Sequence, residues 1–207
     1  MSELSIVKSS VADSPNSSLP EDLLVRGSGA VARETARHSH FLDPLSEKDT
    51  YARGNSRRWG DAPLAVQREA VTAIREESGD AKFNQAETAF ALAVARTESG
   101  FNPDAAAQST SATGLGQLID ATGEHYGVNE ENRFDLRANA RAMVSHLRDT
   151  FDYVGRRFRG VTQEKRFTLT YGVYHDGPRL DHGGEKIAKE RVLPWVEQYQ
   201  KWLQKSE

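Results

Sequence analysis

The sequence predicts a mainly α domain. Three observations carry this: apolar residues recur at helical spacing in several separate segments, one of these segments is so rich in alanine that it has almost no polar face, and strand signals are few. From Pro63 onward, Leu64, Val71 and Ile74 fall on one helical face with Ala70 beside them, and Gly79 offers a stop. A second helix is expected to start near Asn84. Phe90, Leu92 and Val94 sit there among Ala86, Ala89, Ala91, Ala93 and Ala95, the pattern of a central buried helix. Between Phe134 and Val154 the stripe Leu136, Ala140, Met143, Leu147, Phe151 and Val154 predicts a third, with Asp135 as its N-cap. Phe167 to Tyr174, FTLTYGVY, is short and β-branched, so a strand and a buried helix both fit. Lys186 to Leu203 returns to helical spacing, with Trp195, Tyr199 and Trp202 as packing residues.

The domain is read as residues 59–207. Residues 1–58 are rich in Ser, Asp, Arg and Gly, and Leu19–Val25 and Phe41–Leu45 are their only apolar clusters. They are expected to form a polar arm, flexible or loosely docked, that serves as a docking or loading segment.

Composition excludes several classes of function. No apolar run approaches the roughly 18–20 residues that span a bilayer, so membrane insertion is not expected. A net charge of −3 supplies no field for nucleic acid, and none for any other anionic polymer, which would have to be bound by a groove. There is no cysteine, hence no disulfide, thiol nucleophile or thiolate metal site. His175, Asp176, Asp181 and His182 lie together in HDGPRLDHGG, but their spacing fits no metal-ligand pattern, and neither metal nor cofactor is expected. The first residues, MSELSIVKSSVADSPNSSLPEDLL, lack the cationic and apolar regions of a secretory signal.

The chemistry concentrates in ALAVARTESGFNPDAAAQSTSATGLGQL, Ala91 to Leu118. Glu98 continues the stripe Phe90, Val94 at i+4 and i+8, at the end of the apolar helix. A helix C-terminus disfavours an anion by about 0.3–1 kcal/mol, and burial disfavours it further. Both are expected to raise the Glu98 pKa, as a general acid for glycosidic cleavage requires. Gly100 permits a left-handed exit from the helix and Pro103 forbids its return.

ESGFNP followed by SATGLGQL resembles the soluble lytic transglycosylases and goose-type lysozymes. Glu98, Ser99, Phe101, Asn102, Pro103, Ala112, Gly114, Leu115 and Gln117 carry the match. Asn139 falls where that family has an Asn on a helix lining the site, and VYHDGP places Tyr174 in the position of the family's Tyr. The resemblance covers roughly residues 80–200. The chain departs from the pattern in a longer loop from Asp104 to Ser111, in Gly116 where a bulky residue is usual, and in Met143 where Gly is common. His175 stands in place of Asn, and Trp195 in place of Tyr.

The resemblance implies a lysozyme-like α fold and cleavage of the bond between N-acetylmuramic acid and N-acetylglucosamine in peptidoglycan. Glu98 would be the acid, and Ser109, Gln117, Asn139 and Tyr174 would hold sugar. In a transglycosylase Glu98 then serves as base and a 1,6-anhydro ring forms. In a goose-type lysozyme an Asp positions water instead, and Asp104, Asp120 and Asp176 are the candidates here. A degenerate sugar-binding module is the remaining alternative. With the substrate outside the cytoplasmic membrane and no export signal read, delivery is expected as an interbacterial effector or in a phage virion. The partners would then be a secretion apparatus or virion component and a periplasmic inhibitor (immunity) protein, and the site of action the periplasm or wall of a target bacterium.

Overall fold

The computed structural model describes residues 19–25, 62–107 and 110–205. Among these, the helices are α1 Leu64–Asp80, α2 Gln85–Ser99, α3 Asp120–His125, α4 Leu136–Arg157, α5 Gln163–Asp176, α6 Gly184–Ile187 and α7 Leu193–Lys205. A 3-10 turn, Glu21–Leu23, precedes them. The only β pairing among the described residues is two isolated bridges, Ala106 to Thr113 and Thr113 to Leu118, so the chain is mainly α as its spacing predicts.

α2 is the axis of the domain. Asn84 and Glu87 form a capping box, the Asn84 side chain accepting from Glu87 N at 3.0 Å while Asn84 N donates to Glu87 Oε2 at 3.0 Å. Phe90, Leu92 and Val94 and the alanines Ala89, Ala91, Ala93 and Ala95 are then wholly buried. The small residues let neighbours approach on every side. α7 packs along α2 most extensively, with α1 also against it. Phe90 meets Phe151 of α4 at 5.3 Å and Phe167 of α5 at 4.8 Å.

Phe167–Tyr174 lies within α5. Its ambiguity has a physical cause: Phe167 to Val173 are all buried, so no polar face marks the helical period. The Thr168 hydroxyl, which the pattern could not place, back-bonds to the Glu164 carbonyl at 2.8 Å. The expected single helix from Lys186 to Leu203 is interrupted by a π turn, Ala188–Val192, between α6 and α7. Pro194 has no N–H to continue the α ladder, and the wider turn absorbs that defect.

Part of the stretch expected to be an arm belongs to the core. Leu19, Leu23 and Leu24 are buried against the main cluster. The backbone of residues 19–25 is held by four side chains of the helical domain. Arg68 donates to the Leu19 carbonyl at 2.5 Å, and both Arg96 and Tyr199 donate to the Leu23 carbonyl, at 2.8 and 2.7 Å. Gln67, wholly buried, accepts from Val25 N at 2.8 Å and donates to Val25 O at 2.9 Å and to Ala62 O at 2.8 Å.

Candidate active site

The end of α2 sets the site. Gly100 caps the helix in the left-handed region, φ 63°, and Phe101 follows at φ 60°. Two left-handed residues in succession turn the chain back, and the strained one is kept because Phe101 is wholly buried, edge-on to Tyr199 at 6.2 Å. Glu98, half-buried, is left on the last turn. Ser99 Oγ donates to the Leu115 carbonyl at 2.9 Å and so fastens the following loop beside the carboxyl.

That loop is a small tongue. Ala107 N bonds Ala112 O, Gly114 N bonds Ala105 O, and Thr113 and Leu118 exchange both backbone bonds. Gln117, itself at φ 49°, donates from Nε2 to Gly114 O at 3.0 Å and Ala105 O at 3.2 Å. The amide nitrogen of this expected sugar-binding residue therefore holds the tongue's shape. Asn139 stands behind the tongue, 1% exposed, donating to Arg133 O at 2.5 Å and Asp135 O at 3.1 Å. A Cβ on Gly114 would lie 1.6 Å from Asn139 Oδ1. Asn139 thus seats the loop from beneath, and Gly114 is glycine so that it can.

Two departures from the family pattern compensate each other in space. A Cβ on Gly116 would lie 2.7 Å from Met143 Cγ and 2.5 Å from the Tyr174 hydroxyl. The bulk usual before Gln117 is supplied here from α4 by Met143, at the position where Gly is common. Gly116→Ala is therefore expected to cost about 1–3 kcal/mol by overpacking, read as a lower melting temperature, and to cost less when it is made in a Met143→Ala background, where the contact with Cγ is gone. A Gly116→Ala variant melting with the wild type would refute this packing.

α5 contributes the other wall. Tyr171 and Tyr174 stand at i and i+3 on one face, their rings 6.3 Å apart. Tyr171, which no motif flagged, donates its hydroxyl to Glu98 Oε1 at 2.7 Å. Tyr174, expected to bond Glu98 or a sugar, donates instead to the Gly116 carbonyl at 2.6 Å. Burial and then the nearby Glu98 charge push both phenols up, so each keeps its proton and acts as a donor. Behind Tyr174 the His146 ring lies at 4.8 Å, and burial lowers its pKa to about 4, leaving it neutral at neutral pH.

Each of the three candidate aspartates has partners in its own local structure. Asp104 is 1% exposed in the turn after Pro103, its N–H bonded to Asn102 Oδ1 at 2.9 Å. Asp120, at the start of α3, pairs with Arg133 at 3.0 Å. Asp176 accepts from Gly184 N at 2.9 Å and pairs with His175 Nδ1 at 2.6 Å, clipping the end of α5 to the start of α6. Against the upward push of burial, these hydrogen bonds hold its carboxyl below the usual range. Ser109 lies outside the described residues. Among the described residues no group of three or more His, Asp or Glu side chains is placed to hold a metal ion.

The geometry joins Glu98, Ser99, the tongue to Gln117, Asn139 of α4, and Tyr171 and Tyr174 of α5 into one cluster. Its order along the chain matches a known family. The transglycosylase SLT domain profile aligns with residues 76–188, more than half of the chain. Comparison with curated proteins returns no match. The aligned span runs from the last turns of α1 through α6 and takes in every member of the cluster, and on that ground the chain belongs to the transglycosylase SLT domain family, whose enzymes act on peptidoglycan as lytic transglycosylases.

Proposed function

We propose that this domain cleaves the β-1,4 bond between N-acetylmuramic acid and N-acetylglucosamine and releases 1,6-anhydro-muramoyl products. The observation that carries this reading is the Glu98 carboxyl, held by the Tyr171 hydroxyl at the end of the buried helix and flanked by the Gln117 tongue. Glu98 gives its proton to the leaving oxygen of N-acetylglucosamine as the bond to muramoyl C1 breaks. The resulting carboxylate takes the proton of the muramoyl 6-hydroxyl as that oxygen closes on C1. Proton and charge balance with one carboxyl, so no second acid is needed. Tyr171 fixes the rotamer of Glu98 through both half-reactions, because its phenol never ionises in the working pH range.

The test is mass spectrometry of muropeptides released from purified peptidoglycan. Products lighter by one water than reducing-end muropeptides are expected. Reducing ends alone would replace this reading with lysozyme-like hydrolysis, and Asp104, Asp120 and Asp176 would then be replaced one at a time to find the water-positioning group. No release at all from folded protein would leave a sugar-binding module.

We infer further that the enzyme is delivered to the periplasm or wall of a target bacterium, as an interbacterial effector ahead of a virion enzyme, with an inhibitor protein in the producer. The location of the substrate supports this. Expression in a bacterial host should be toxic when a periplasmic signal is fused and harmless in the cytoplasm, and equal toxicity in both compartments would overturn it.

A further inference from the structure

The end of α5 holds a histidine–aspartate pair that the reaction as written does not use. Asp176 is the last residue of the helix, and its side chain is 1% exposed. Oδ2 accepts from Gly184 N at 2.9 Å, and Oδ1 accepts from His175 Nδ1 at 2.6 Å. A carboxylate only accepts, so the proton of the second bond sits on Nδ1. Gly184 lets this seat be tight, since a Cβ there would lie 3.1 Å from Asp176 Oδ1 and 3.1 Å from His175 Cβ. The start of α6 therefore fixes Asp176, and Asp176 fixes an imidazole ring that would otherwise turn freely at a helix end. His175 lies one turn beyond Tyr171, at i+4 on the same face of α5. Its ring meets the Tyr171 ring at 5.8 Å, tilted by 30°. Tyr171 also meets Tyr174 at 6.3 Å, and Tyr174 is itself held by the Gly116 carbonyl at 2.6 Å and the His146 ring at 4.8 Å. The Tyr171 phenol thus touches two anchored rings, while its hydroxyl is committed to Glu98 at 2.7 Å. The angle at which that hydroxyl reaches Glu98 is set by the ring neighbours.

We propose that His175 is a positioning residue for the cleavage: its ring, locked by Asp176, holds the Tyr171 phenol at the angle that keeps Glu98 aligned with the scissile bond. Asp176 acts on the site at second hand, through His175. The inference rests on the peptidoglycan reading above and adds to it a support for the acid in this chain, which has His175 where the family it resembles has Asn. An Asn amide could still bond Asp176, but it has no ring to set against Tyr171.

The experiment is a double-mutant cycle on soluble peptidoglycan strands, with muropeptide release as the readout. His175→Asn keeps an amide for Asp176 and removes the ring. Its kcat should fall roughly two- to tenfold, the range for loss of one aromatic contact, with KM unchanged. His175→Phe returns a ring without the bond to Asp176 and should recover part of that loss. In a Tyr171→Phe chain no phenol hydroxyl holds Glu98, so adding His175→Asn should change kcat little. A histidine that served only the end of α5 would lower kcat equally in both backgrounds. Equal losses in the two backgrounds, a wild-type kcat for His175→Asn, a loss confined to KM, or no recovery with His175→Phe would each overturn the His175 assignment while the peptidoglycan reading stands. If wild type releases no muropeptides, both fail. Melting curves check that each variant is folded, and His175→Gln, which also lacks the ring, takes the place of His175→Asn should that chain not fold.

Discussion

Replacing Glu98 by Gln is expected to lower muropeptide release at least about a hundredfold, the low end for loss of an acid–base group. The substitution is nearly isosteric and the amide oxygen can still accept from Tyr171, so the fold should persist with an unchanged melting curve. What disappears is the proton that must reach the leaving oxygen and return from the 6-hydroxyl. Tyr171→Phe gives the graded control. It removes the 2.7 Å hydrogen bond but leaves the carboxyl in place, and a net bond of about 1–1.5 kcal/mol corresponds to a loss of roughly tenfold. Folded Glu98→Gln protein that still releases muropeptides at the wild-type rate would dismiss the site as assigned.

The second large effect is expected from the other end of the chain. Deleting residues 1–25 removes Leu19, Leu23 and Leu24 from the core. At about 1.5–3 kcal/mol for each buried leucine, the loss is on the order of 5 kcal/mol or more, a large share of the 5–15 kcal/mol that holds a domain together. The same deletion strands the Gln67 amide, the Tyr199 hydroxyl and Arg96, which all bond to that segment. The melting temperature should fall by more than about 10 °C, or the protein should fail to fold. A truncated protein melting within two or three degrees of the full chain would show that the turn at Glu21–Leu23 is dispensable. The consequence reaches function directly: the segment cannot be removed as a unit to test delivery without first losing the enzyme.

What the sequence disclosed follows from where periodicity survives. α4 keeps one apolar stripe against a polar face, and its span and its Asp135 cap, which accepts from Ala138 N at 2.8 Å, were both readable. Asn84 was readable as the start of α2 for the same local reasons. α5 was not, because burial on all sides erases the period. Tyr171 was hidden by the same burial, its hydroxyl being one more group inside an apolar run. The i, i+3 relation to Tyr174 was the signal that could have exposed it. Gln67 had no signal: a glutamine between Val66 and Arg68 reads as part of a solvated helix face. The short cluster Leu19–Val25 was visible as apolar, yet its partners are helices far along the chain, and no local pattern names a distant partner. The exchange of bulk between Gly116 and Met143 was visible only as two separate departures, since nothing in one sequence says they touch.

The Gln67 amide binds Val25 with one hand and Ala62 with the other. Val25 and Ala62, far apart in sequence, are therefore pinned by one buried side chain of α1. Gln67 works as a clasp: opening it would free both at once, so one substitution on a helix acts on two segments that share no element.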